Sequence, residues 1–160
     1  MMYLIDANIL ITPKNSMPMD LYPTFWQRLS EALNTGKVFS CRKVKEEISN
    51  GNDELVSWCK EVLPSDFFIE EDEQIMAEYS WLMVWSQGSP IYFEPAKQEF
   101  AQVADAYLIA TAAAKKMKIV TFETSEPNRR NKVKIPDACM AIGVEFCTLN
   151  DMLRDLQIVI

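Results

Sequence analysis

Tyr3-Leu4-Ile5-Asp6-Ala7-Asn8 runs three apolar residues straight into an acid and, two places on, an amide. A short apolar run bounded in this way reads as a buried strand over residues 3–6, with Asp6 at its end. The same pattern recurs at Lys37-Val38-Phe39-Ser40-Cys41, Phe67-Phe68-Ile69, Lys118-Ile119-Val120-Thr121 and Val144-Glu145-Phe146-Cys147. Helical spacing fills the intervals. Residues 20–34 carry Leu21, Phe25, Leu29, Ala32 and Leu33 on one face, with Gly36 as a stop signal. Helices are also expected over 42–49, 53–63, 72–86, 97–103, 104–116, 136–142 and 150–156. Residues 88–95 and the polar stretch 123–134 read as loops. Short strands alternating with helices predict a parallel sheet of about five strands covered on both faces, a three-layer α/β/α fold. Ligands of such sheets bind beyond the carboxyl ends of the strands. Acids that follow strand ends are therefore the first candidates for a site.

The bulk numbers narrow the chemistry. The 160 residues suit one domain over 1–160, and 49% hydrophobic residues predict a folded core. The N-terminus meets an acid at once and has no basic lead, unlike a signal peptide. No apolar run is long enough for a membrane span, so a cytoplasmic protein is expected. Cys41, Cys59, Cys139 and Cys147 form no CxxC pair and read as reduced, mostly buried thiols. The chain has no histidine, which excludes Ser-His-Asp and Cys-His catalysis and histidine-bound zinc. Enzymatic chemistry would then fall to carboxylates, Lys, Tyr or a bound metal. The net charge of −7 argues against a broad basic nucleic-acid face and suits a basic protein partner.

Five acids stand out, each with a plain structural reading beside the functional one. Asp6 with Asn8 is a ligand and its orienting amide, or a turn. Glu47 lies at the border of the buried side set by Val44 and Ile48, near a cleft edge or on a solvated face. Asp105 opens an unusually apolar helix, as a rim acid or as a cap. Glu123 follows the fourth strand just after Thr121, and Asp137 follows Pro136 as a first-turn acid. Such a set can converge on one sheet edge. Carboxylates at that density repel unless a cation holds them. Mg²⁺ or Mn²⁺ takes oxygen ligands, bridges phosphates and supports phosphodiester cleavage without histidine.

These motifs resemble the PIN-domain family. Residues 3–8 resemble its opening motif, Val44-Lys45-Glu46-Glu47-Ile48 its second acidic motif, Ala104-Asp105-Ala106-Tyr107 its third, and Val120-Thr121-Phe122-Glu123 its fourth. Ser125-Glu126-Pro127-Asn128 and Lys134-Ile135-Pro136-Asp137-Ala138-Cys139 resemble a divergent VapC-like toxin branch. The resemblance implies a single PIN-like nuclease domain and a metal-dependent endoribonuclease that acts as a toxin held by a cognate antitoxin. It implies catalytic roles for Asp6, Glu47, Asp105 and Glu123. Asp6, Asp105, Glu123 and Asp137 would bind metal, and Asn8 and Thr121 would support them. The chain departs from the family by placing Glu123 where Asp is usual, so Asp137 shares that role as an alternative.

Arg129, Arg130, Lys132 and Lys134, with Lys14 as a weaker candidate, are expected to touch RNA phosphates or else to line a solvated loop. Met83, Trp85, Tyr92 and Phe93 in the apolar stretch 81–100 suggest a homodimer or antitoxin surface, or else a fold over the domain's own core. Two other functions compete. One is a PIN-like interaction module without activity. The other is a haloacid-dehalogenase-like phosphatase, which normally has a second Asp where this chain has Asn8.

Overall fold

The computed structural model describes residues 1–51 and 53–160. Five parallel strands form the sheet: β1 (Tyr3–Ile5), β2 (Val38–Cys41), β3 (Phe68–Ile69), β4 (Lys118–Val120) and β5 (Phe146–Cys147), in the order β3-β2-β1-β4-β5. Tyr3 pairs with Val38 on one side and Lys118 on the other, and Ile5 is level with Val120. Tyr3, Leu4, Ile5, Ile119 and Val120 are buried, as central strands of a doubly covered sheet must be.

Helices α1 (Asn8–Ser16) and α2 (Pro23–Leu33) link β1 to β2, and α3 (Arg42–Ser49) and α4 (Asp53–Val62) link β2 to β3. Helices α5 (Glu73–Gly88), α6 (Glu94–Gln102) and α7 (Ala104–Lys115) lead to β4, α8 (Ile135–Ile142) to β5, and α9 (Leu149–Leu156) follows. The chain winds outward from β1 through β2 to β3, then crosses back to β4 beside β1. Right-handed crossovers put the helices before β3 on one face and those leading to β4 and β5 on the other. The result is the expected three-layer α/β/α arrangement with five parallel strands.

Helix α7 is the central piece of its layer. Its small Ala106, Ala110 and Ala112 are buried with Leu108 and Ile109, so its axis lies close to the sheet and to α5. Helix α1 departs from the sequence reading, which assigned nothing there. Pro13 sits inside it and its polar Asn8, Thr12, Asn15 and Ser16 dilute the periodicity, yet Ile9, Leu10 and Pro13 are buried. Helix α6 starts at Glu94, earlier than expected, because Pro95 is tolerated in a first turn. The four cysteines are free thiols, two buried and two partly buried.

Candidate metal and phosphodiester site

Strand order reverses between β1 and β4, so the crevice beyond their carboxyl ends is the topological switch point of the sheet. Asp6 follows β1 and Thr121 follows β4, and the register sets them side by side. The Thr121 hydroxyl donates to Asp6 Oδ2 at 3.2 Å and accepts the Glu123 backbone N–H at 3.1 Å. One hydroxyl thus orients the Asp6 carboxylate and fixes the turn that carries Glu123. Thr121 is buried, so this link is shielded from water.

Glu47 arrives from α3 and Asp105 from the first turn of α7. Val44 and Ile48 of α3 are buried, Glu46 points to solvent and pairs with Arg42, and Glu47 stands at the rim. Asp105 does not cap its helix. Val103 is the cap residue and no side chain closes that terminus. The Asp105 carboxyl accepts no hydrogen bond among the described residues, although the helix start is otherwise apolar. Asp105 is thus a first-turn acid without a capping hydrogen bond, and its partly buried carboxyl lies near other acids.

The electrostatics show that four acids share one region. Burial, then Glu123 and Glu47, pushes Asp6 up to about 6 against an opposing hydrogen bond from Thr121. Burial, then Asp6, Glu123 and Glu47, pushes Asp105 up to about 8, with Lys132 opposing. Glu47 is also raised, first by burial and then by Glu123, while Lys132 pulls it down. Like charges near one another disfavour ionisation, which is the second cause of a raised carboxyl pKa after desolvation. Glu123 is held more firmly than the rest. Its Oε1 accepts the Ile135 N–H at 3.0 Å and lies 3.8 Å from Lys134 Nζ.

Asp137 stands apart. Its Oδ1 accepts from the Ser125 hydroxyl at 2.6 Å and its Oδ2 from the Glu126 N–H at 2.9 Å. Both oxygens thereby tie the 123–134 loop to α8, and Asp137 is absent from the charges acting on Asp6, Glu47 and Asp105. Asn8 is exposed at the start of α1, and Lys14 lies in the last turn of that helix.

The basic run divides in the same way. Lys132 faces Glu47 and Asp105 and lines a narrow cleft with Asp105. Lys134 pairs with Glu126 at 3.3 Å, and Arg129 holds Glu126 and Asn131. Arg130 lies over the Phe93 ring and donates to the Ile91 carbonyl. Sequence order alone gave these four one role. The structure gives Lys132 to the acid cluster and uses the others to shape the loop.

The donor types suit a hard divalent cation: carboxylate oxygens and a hydroxyl, with their mutual repulsion partly offset by Lys132 and Lys134. Among the described residues no three acidic, cysteine or histidine side chains close into a preformed cage. A depression of about 280 Å³ at the amino end of the sheet, between Met1, Lys118 and Glu145, gathers no comparable set of acids.

The family described as domain of unknown function (DUF4411) matches residues 3–160. No curated protein matches the chain in sequence. A solved structure described as FitAB bound to an IR36 DNA fragment is similar in fold, with a TM-score of 0.53 and 18% identity. The similarity covers 92% of this chain and 94% of that one.

Proposed function

The chain belongs to the family described as domain of unknown function (DUF4411), and we propose that it is a metal-dependent endoribonuclease. The observation that carries this reading is the placement of Asp6 and Glu123, joined through Thr121, at the switch point of the sheet, with Glu47 and Asp105 near enough that the Asp6 and Asp105 carboxyls are raised together. Raised pKa values cluster at functional sites because catalysis needs charge in places that folding alone avoids. The same four residues match the acidic positions of the PIN-domain motifs.

Asp6, Asp105 and Glu123 would hold Mg²⁺ or Mn²⁺, with Glu47 closing the rim. Bound there, the ion supplies neutralising charge at the phosphate and an acidified water. The protein's own side chains do the rest. Thr121 fixes the Asp6 carboxylate. The Ile135 N–H and Lys134 fix Glu123. Lys132 offers a cation to a phosphate oxygen at the mouth of the site, beside Glu47 and Asp105. Asp137 serves by holding the loop that carries Lys132 and Lys134 rather than by touching the ion.

RNA as the substrate, and a toxin role held by an antitoxin, rest on the motif resemblance. The FitAB neighbour adds a fold precedent for an assembly on nucleic acid. Calorimetric titration of Mn²⁺ into the parent protein and into D105N tests the site. A heat of binding in the parent that disappears in the variant supports it. Equal binding by both, or none by the parent, favours the interaction-module reading.

A further inference from the structure

Phe122 is placed where a core residue is not needed. It sits between Thr121 and Glu123, two residues of the acid site, yet it is 46% exposed. It is absent from the hydrophobic residues that pack against the core, and it makes no aromatic contact among the described residues. It borders a groove of about 220 Å³ whose other walls are Thr121, Glu123, Thr124, Thr148, Leu149 and Asn150. The groove therefore shares two residues with the acid cluster and continues from it toward the β5 edge of the sheet. Its lining combines one open aromatic face with the hydroxyl of Thr124 and the exposed amide of Asn150.

We propose that this groove is a nucleobase subsite, in which Phe122 stacks the base of the nucleotide beside the phosphate held at the acid cluster. The inference rests on the nuclease reading above and adds a strand-binding residue to it. A single-stranded nucleotide is the occupant because the groove is continuous with the site that takes its phosphate. Unpaired bases stack on aromatic side chains and present their edges to short polar groups. The acidic protein lacks a broad cationic track, since Arg129, Arg130 and Lys134 are engaged within the loop. Stacking next to the site supplies affinity that phosphate contacts alone do not. Asn150 and Thr124 then set which base edge is preferred.

The test is equilibrium binding of short fluorescent single-stranded RNA to protein carrying D105N, which prevents turnover. F122A should weaken binding about tenfold, F122Y should retain it, and W81A, an exposed aromatic on α5, should leave it unchanged. An oligonucleotide with abasic sugars throughout should bind the F122A and Phe122 proteins equally. Equal affinity of F122A and Phe122 proteins for normal RNA overturns the proposal, as does a parent that binds no RNA. If F122A instead loses only a basic protein partner, the face belongs to that partner and the proposal also falls. Metal-dependent cleavage by the unsubstituted protein is scored separately, so the nuclease reading can survive the loss of this subsite.

Discussion

Asp105 shows how one residue type is read differently by position and by surroundings. In the sequence it is an acid in a first helical turn, where capping is the common role. In the structure its helix has no side-chain cap, and the partly buried carboxyl lies near three other acids. Asp105 and Asp6 have folded-state pKa values of about 8 and about 6, above the ordinary aspartate value. A carboxyl raised by folding binds protons more tightly in the native state. It adds stability at low pH, and that contribution is lost as pH rises through the folded value. The metal-free protein should therefore weaken between about pH 4 and pH 8. One pKa unit is worth about 1.4 kcal/mol, and the acids titrate as a coupled set, so the whole effect is on the order of a few kcal/mol. Urea unfolding in chelator should show a midpoint that falls from pH 5 to pH 8. D105N should flatten that fall, and Mn²⁺ should restore the midpoint of the parent only. A parent midpoint that stays level across this range would remove the electrostatic argument for the site.

At the scale of elements, the 123–134 loop carries Glu123 and Lys132 and is held by Asp137 at α8. D137A should lower stability by roughly 3–6 kcal/mol, the usual cost of two hydrogen bonds to a charged group, while Mn²⁺ still protects the folded protein. E123Q should do the reverse, with a small change in stability and a weakened metal response. Matching metal responses in the two variants would return Asp137 to the ligand set. Within the same loop, K132A should reduce the salt dependence of RNA binding by about one phosphate, whereas R129A should not. A slope that shifts equally in both would mean that the basic run acts as one surface. The elements were legible where apolar residues are dense: β1, α3 and α7 lie almost where their patterns put them. Helix α1 was not legible, because Pro13 and its polar neighbours hide a short buried face. Asp6, Glu47, Asp105 and Glu123, which the structure brings near one another, stand at the spacing of the acidic motifs. The division of labour between Glu123 and Asp137 was not legible, because it depends on the Ile135 and Glu126 backbone N–H groups. Nothing in a linear pattern announces such contacts.

At the scale of the molecule, the apolar stretch 81–100 divides between two destinations. Trp85 packs edge-on against Tyr92 and Phe100, and Met83 packs against the core, so these residues serve the fold itself. Phe93 stays exposed under Arg130, and Trp81, Val84 and Ile91 face outward with it. Of the four residues named from the sequence, Phe93 alone stays exposed, so the surface is smaller than expected. If it joins two copies, Trp81→Glu with Val84→Glu should give a folded monomer at concentrations where the parent sediments as a dimer. A parent that is monomeric at every concentration would end the dimer reading. Among the described residues no helix is long and apolar enough to cross a membrane. In the proposed function, part of the −7 net charge belongs to four acids that a cation holds together. That claim has a direct test in RNA cleavage by the purified protein with Mg²⁺ or Mn²⁺, with excess chelator, and with D105N. The account predicts cleavage with metal, none in chelator, and a loss of orders of magnitude in D105N that higher Mn²⁺ partly recovers. Undiminished cleavage in excess chelator, or by D105N at limiting metal, would contradict it.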